Sequence, residues 1–172
     1  LECEENALTS LPKFLSPDLK YLLCGNNKLT LLPMLPLMLK TLTCYHNKLR
    51  KIPTLPEMLT LLDCGNNIDL ISLPRLPDSI TRINCKSCKN LTELPNLPRN
   101  LKDLFCSDNQ LTALPTLPPN LTELICNNNK LTTLPALPKS LRVLSCSGNN
   151  IIQIDSDLSL SALRVSCSEN PK

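Results

Sequence analysis

Ten cysteines and a single histidine are the residues of this chain whose types could do chemistry. Cys85-Lys86-Ser87-Cys88 is a C-x-x-C, the spacing of a dithiol redox pair or of half a zinc site. No second such pair and no neighbouring histidine completes a tetrahedral set. Cys106-Ser107-Asp108 is a C-x-D, but Cys106 belongs to a periodic apolar column where burial would make a nucleophile useless. His46 stands alone, so a Cys-His or Ser-His-Asp set can form only around it. It is expected exposed, at the end of a strand. Three scattered glycines, Gly25, Gly65 and Gly148, build no phosphate loop. The sequons at Asn90-Leu91-Thr92 and Asn120-Leu121-Thr122 are strings the periodicity produces by itself. No catalytic set emerges, and neither a cofactor, a metal nor an enzymatic activity is expected.

The cysteines are better explained by their intervals. Cys3, Cys24, Cys44, Cys64, Cys85, Cys106, Cys126, Cys146 and Cys167 follow one another at 21, 20, 20, 21, 21, 20, 20 and 21 residues. Each sits in the same string, seen in full from Leu121 to Ser140: L-x-x-L-x-C-x-x-N-x-L, then x-x-L-P-x-L-P. This fits the leucine-rich repeat pattern with cysteine in the third apolar slot, at the short end of its range of periods. One turn then has room for a short strand, around Leu121 to Ile125, and an extended return, with almost no helix. The fold expected is a leucine-rich repeat solenoid with a parallel β-sheet on its concave face. Its convex wall should be extended and polyproline-like, because L-P-x-L-P fixes φ and removes donors. Strands about 4.8 Å apart give a rod roughly 40 Å long.

Leu121, Leu124, Cys126, Leu131, Leu134 and Leu137 should point inward, and because one turn cannot cover its own apolar face, each stacks on its neighbours. Asn6, Asn27, Asn47, Asn67, Asn109, Asn129, Asn149 and Asn170 fall three after a cysteine. A buried amide there can satisfy backbone groups left unpaired as the chain leaves the strand. The cysteines are expected as a ladder of reduced thiols packing as small hydrophobes. Their Cβ vectors run side by side, which is poor bridging geometry.

Residues 1–172 are expected to form one array of about eight turns, uncapped at both ends and therefore cut from a longer protein. Its irregularities are few. Insertions fall at Ile68-Asp69-Leu70 and Lys89-Asn90-Leu91, and in the convex stretch Lys13-Phe14-Leu15-Ser16-Pro17. Cys88 takes an asparagine slot. After Ile154 the proline wall gives way to Asp155-Ser156-Asp157-Leu158-Ser159-Leu160, and a last turn starts near Ala162.

Function is then sought on the concave face, where the third, fifth and seventh residues of a turn should project. A protein partner is expected to contact Tyr21, Leu23, Tyr45, Leu61, Arg82, Lys86, Phe105, Ile125 and Val143. Three of the four aromatics fall in this set, and exposed aromatics and apolar clusters mark interaction sites. The aliphatic and aromatic members form two patches, with Arg82 and Lys86 between. Net charge is only +3 with signs mixed along the chain, so nucleic acid is not an expected ligand. No apolar run of spanning length occurs.

The recurring L-P-x-L-P-x-x-L-x-x-L-x-C-x-x-N-x-L resembles the short bacterial repeats of YopM-like and IpaH-like effectors, over Leu1 to Asn170. The resemblance implies a non-enzymatic scaffold, secreted by a bacterium into the host cytoplasm, that docks on a host protein. The alternative it implies is the substrate-recognition domain of an effector ubiquitin ligase, whose C-x-D nucleophile lies in a separate helical domain absent here; Cys106 does not stand in for it. A receptor ectodomain is disfavoured by the thiols. The regular cysteine, and the lack of a helical N-terminal cap, depart from those effectors.

Overall fold

The computed structural model describes residues 1–152 and 163–171. Eight three-residue strands stack in one parallel sheet in chain order: β1 (Tyr21–Leu23), β2 (Thr41–Thr43), β3 (Leu61–Asp63), β4 (Arg82–Asn84), β5 (Asp103–Phe105), β6 (Glu123–Ile125), β7 (Val143–Ser145) and β8 (Arg164–Ser166). A bridge between Glu2 and Leu23 joins the first turn to β1. Each strand is one rung of the expected solenoid, and no helix occurs among the described residues. The proline-free tail 155–160 and the start of the last turn at Ala162 lie outside those residues.

Strand alternation separates the faces. In β1 to β7 the middle residue, such as Leu62 or Leu124, is buried while its flanks are partly open. The buried leucines and cysteines of all turns form one continuous core, with Leu134 and Leu137 packed partly buried at its margin. Full burial of a leucine contributes about 1.5–3 kcal/mol. On the convex side, the second proline of each L-P-x-L-P opens a tight turn: its carbonyl accepts the N–H of the next turn's first leucine, as from Leu121 to Pro118 at 3.1 Å. The variable residue between the leucines points to solvent, which leaves Met34 83% and, just beyond its motif, Leu37 80% exposed. Phe14 is 78% exposed with the Lys13 ammonium over its ring.

The asparagines do what their slot requires. Asn129 Nδ2 donates to the carbonyls of Cys106 and Cys126 at 3.0 and 3.1 Å, and its Oδ1 accepts the Leu111 N–H at 3.0 Å. Asn27, Asn47, Asn67, Asn109, Asn149 and Asn170 repeat the arrangement, so each amide ties its turn to the one before. One residue earlier the backbone is left-handed in every turn: Glu5, Asn26, His46, Asn66, Ser87, Asp108, Asn128, Gly148 and Glu169 have φ between 50 and 65°. Asparagine, aspartate and glycine reach this region cheaply, and their frequency here was a signal the periodicity argument passed over.

Both insertions become tight turns on one edge of the sheet. Leu70 N–H closes on Asn67 O at 3.0 Å, and Leu91 N–H on Cys88 O at 2.7 Å. The cysteine ladder departs from expectation at one rung. Cys146 and Cys167 are joined as a disulfide, their Cα atoms 4.7 Å apart, a separation a bridge tolerates. Side-by-side Cβ vectors between adjacent turns therefore do not exclude bonding. The other eight cysteines are free, seven of them buried and Cys3 half-buried.

Candidate interaction surface

The sheet register aligns the outward residues in columns. Tyr21, Thr41, Leu61, Arg82, Asp103, Glu123, Val143 and Arg164 form one; Leu23, Thr43, Asp63, Asn84, Phe105, Ile125, Ser145 and Ser166 form the other. Tyr45 and Lys86 lie two residues beyond β2 and β4, where the chain is already turning.

Of the nine residues singled out on sequence, the structure brings Phe105 and Ile125 side by side on adjacent rungs. Val143 lies in the other column, next to Glu123. The other apolar patch is looser than its spacing suggested. Thr41 stands between Tyr21 and Leu61, and Thr43 follows Leu23. Tyr45 lies instead across the preceding turn, its ring occupying the space where a Cβ on Gly25 would be. Gly25 is therefore the seat of that ring. Arg82 is engaged by its neighbour: Nε donates to Asp103 Oδ2 at 2.9 Å and the terminal nitrogen lies 2.8 Å from the same oxygen. Thr122 Oγ1 donates to the other Asp103 oxygen at 3.2 Å. Lys86 is exposed.

Between the two patches lies a polar centre the sequence reading missed. Asp63 accepts the Gly65 N–H at 3.2 Å and Asn84 Nδ2 at 3.1 Å. Its carboxyl is held above the ordinary carboxylate range, chiefly by burial, against the lowering effect of those bonds and of Lys86. With Tyr45, His46 and Lys86, Asp63 and Asn84 border a shallow depression of about 340 Å³. Burial also raises the Tyr45 phenol, and the carboxylates of Glu4, Glu5 and Asp63 add to it. At the near end, Glu4 accepts a bond from Thr43 Oγ1 at 3.0 Å.

The cysteines are suited to packing rather than reaction. Burial pushes Cys24 and Cys126 up to about 12, and Cys44, Cys64 and Cys106 well above the ordinary thiol range. Cys106 in the C-x-D is thus a buried neutral thiol, unfit as a nucleophile. In the C-x-x-C, Cys85 fills a core slot and Cys88 an asparagine slot, its Sγ donating to Cys64 O at 3.5 Å. His46 sits exposed at the left-handed position after β2. Among the described residues no helix is long and apolar enough to cross a membrane.

A two-copy leucine-rich repeat family model matches residues 99–139. No curated protein matches the chain. Among solved structures, YopM from Yersinia enterocolitica WA-314 superposes with a TM-score of 0.92 at 33% identity, over 97% of this chain and 36% of that one. The repeat domain of a Shigella effector gives 0.76 at 28% identity, over 98% and 80%. The functional domain of InlJ from Listeria monocytogenes, described as including a cysteine ladder, gives 0.70 at 29%, over 99% and 44%. The chain therefore spans about a third of the YopM chain it resembles, and regular cysteine is shared with at least one solved relative.

Proposed function

We propose that this chain, a leucine-rich repeat solenoid of the bacterial-effector type, recognises a host protein through its concave face after delivery into the host cytoplasm. The repeat class carries the coarser statement, a protein-interaction role. The choice of face rests on one observation: Phe105 and Ile125 stand adjacent and outward on the sheet, flanked by the charged residues Arg82, Asp103 and Glu123. An apolar pair inside a polar rim is the composition of an interface centre. Tyr45, held over Gly25 beside the Asp63 depression, supplies a second anchor.

Capture from host-cell lysate with the parent chain and with a Tyr45→Ala/Phe105→Ala variant tests this, since both side chains lie outside the core. The partner found should bind the variant at least about tenfold more weakly, as truncating an anchor costs roughly 2 kcal/mol. Equal affinity for both would remove the concave face from consideration. A second reading, the substrate-recognition part of a ubiquitin ligase, draws on the resemblance of the repeat string to IpaH-like effectors. It requires that the captured partner become ubiquitinated by the full-length protein.

A further inference from the structure

We infer that the edge of the sheet at the two inserted turns is a second docking surface, for an acidic protein segment carrying an apolar side chain. This surface is separate from the concave face and does not depend on it. In the regular turns the residue after the ladder asparagine projects from this edge, and its N–H bonds to the preceding turn: Lys28 to Leu8 O at 2.8 Å and Lys48 to Leu29 O at 2.9 Å. Those bonds stack the two lysines in register. Arg50 follows two residues after Lys48, and the Ile71 N–H reaches its carbonyl at 3.4 Å, which sets Ile71 beside it on the next turn.

The insertions change what the edge presents. The turn closed by Leu70 and Asn67 lifts Ile68 outward, and the turn closed by Leu91 and Cys88 does the same for Lys89. Ile68 is 53% and Ile71 50% exposed, and Lys28, Lys48, Arg50 and Lys89 are all exposed. Among the described residues the ion pairs are Arg75 with Glu57 and Arg82 with Asp103, so none of these four cations is engaged in one. Asp69, half-buried, is the only carboxylate within the inserted segments 67–70 and 88–91, and Glu93 is exposed two residues beyond the second.

Four cations around two exposed isoleucines select their partner by complementarity: carboxylates for the rim and one apolar side chain for the centre. Nucleic acid would use the cations alone, because an isoleucine does not stack a base. A segment with acidic residues on both sides of a leucine or phenylalanine uses every group on the edge.

The probe is a fluorescent synthetic peptide with glutamates flanking one leucine. It is compared with the same peptide carrying glutamine for glutamate and with one carrying serine for leucine. The parent chain should bind the first, and bind each control at least about tenfold more weakly, with affinity falling as salt rises. Lys48→Glu/Arg50→Glu and Ile68→Ser/Ile71→Ser should each lose at least about tenfold, with thermal melting used to show that they remain folded. If a reversal variant unfolds, Lys48→Gln/Arg50→Gln gives the reading, with a smaller loss in the same direction. Absence of binding, equal binding of the glutamine peptide, or unchanged affinity in the variants would overturn the inference. So would tighter binding of a single-stranded oligonucleotide or of phosphatidylserine vesicles.

Discussion

In the turn that begins at Leu101, the amide of Leu111 is satisfied from outside, by Oδ1 of Asn129 in the following turn at 3.0 Å. In the turn that begins at Leu59, the equivalent amide belongs to Leu70 and is satisfied from within, by Asn67 O at 3.0 Å. One extra residue makes the difference, because it lets the chain curl back on itself before entering the core. The following turn is then relieved of supplying an acceptor to that leucine. This explains why Cys88 stands there in place of asparagine. Its sulfur keeps part of the duty of the amide, donating to Cys64 O at 3.5 Å. The next insertion repeats the geometry, with Leu91 N–H on Cys88 O, yet the turn after it keeps Asn109, whose Oδ1 now receives Cys88 N–H at 2.9 Å. An insertion therefore permits the loss of an asparagine without requiring it. The two regions teach that inter-turn bonding and local turn closure are interchangeable ways of pairing one buried amide.

The largest effect that separates the regions should come at alkaline pH. The thiols are raised in the native state, so the folded protein holds protons that the unfolded chain releases, and stability falls as pH rises. The contribution is complete below about pH 9 and is lost progressively toward about 12, where Cys24 and Cys126 titrate. Cys88, pushed up only to about 11 because the Asn67 N–H counteracts its burial, should be the first of the seven buried thiols to ionise, after the half-buried Cys3. Thiolate absorbance followed through a pH titration in a Cys3→Ser background should therefore show an early component that disappears on adding Cys88→Ser. A single late rise shared by parent and variant would mean that the irregular turn is no weaker than the rest.

Next in size is the removal of one regular amide. Asn129→Leu leaves Leu111 N–H buried without an acceptor, and urea unfolding should show a loss of about 3 kcal/mol. The carbonyls of Cys106 and Cys126 keep Asn109 and Asn149, which limits the damage. Deleting Asp69 should cost about 2 kcal/mol, because Leu70 then needs an acceptor that Cys88 cannot supply. Combining the deletion with Cys88→Asn should recover about half of that loss or more. Additive effects in this pair would break the account of why the insertion and the cysteine occur together. Cys88→Asn alone should change stability by less than about 1 kcal/mol, since the Leu70 N–H that such an amide would receive is already closed on Asn67 O. Smallest of all, Ser87→Gly should stabilise by about 0.5 kcal/mol, because serine occupies left-handed backbone at φ 58°. Asn128→Gly in the regular region should be close to neutral.

Much of this was legible in the chain itself. A period of 20 to 21 residues, one cysteine per period and an asparagine three residues later impose the solenoid, its buried columns and its amide ladder, since each is a local string repeated until its faces must stack. The insertions at Ile68 to Leu70 and Lys89 to Leu91 were equally visible as breaks in that period. What stacking then placed together was not. The engagement of Arg82 by Asp103, the Tyr45 ring over Gly25, the bond between Cys146 and Cys167 and the separation of Tyr21 from Leu61 by Thr41 all join residues in different turns. The string specifies which way a side chain faces within its own turn. Only the register and close approach of neighbouring turns decide which side chains meet, because those contacts are set by how the copies pack on one another and not by anything a single copy encodes.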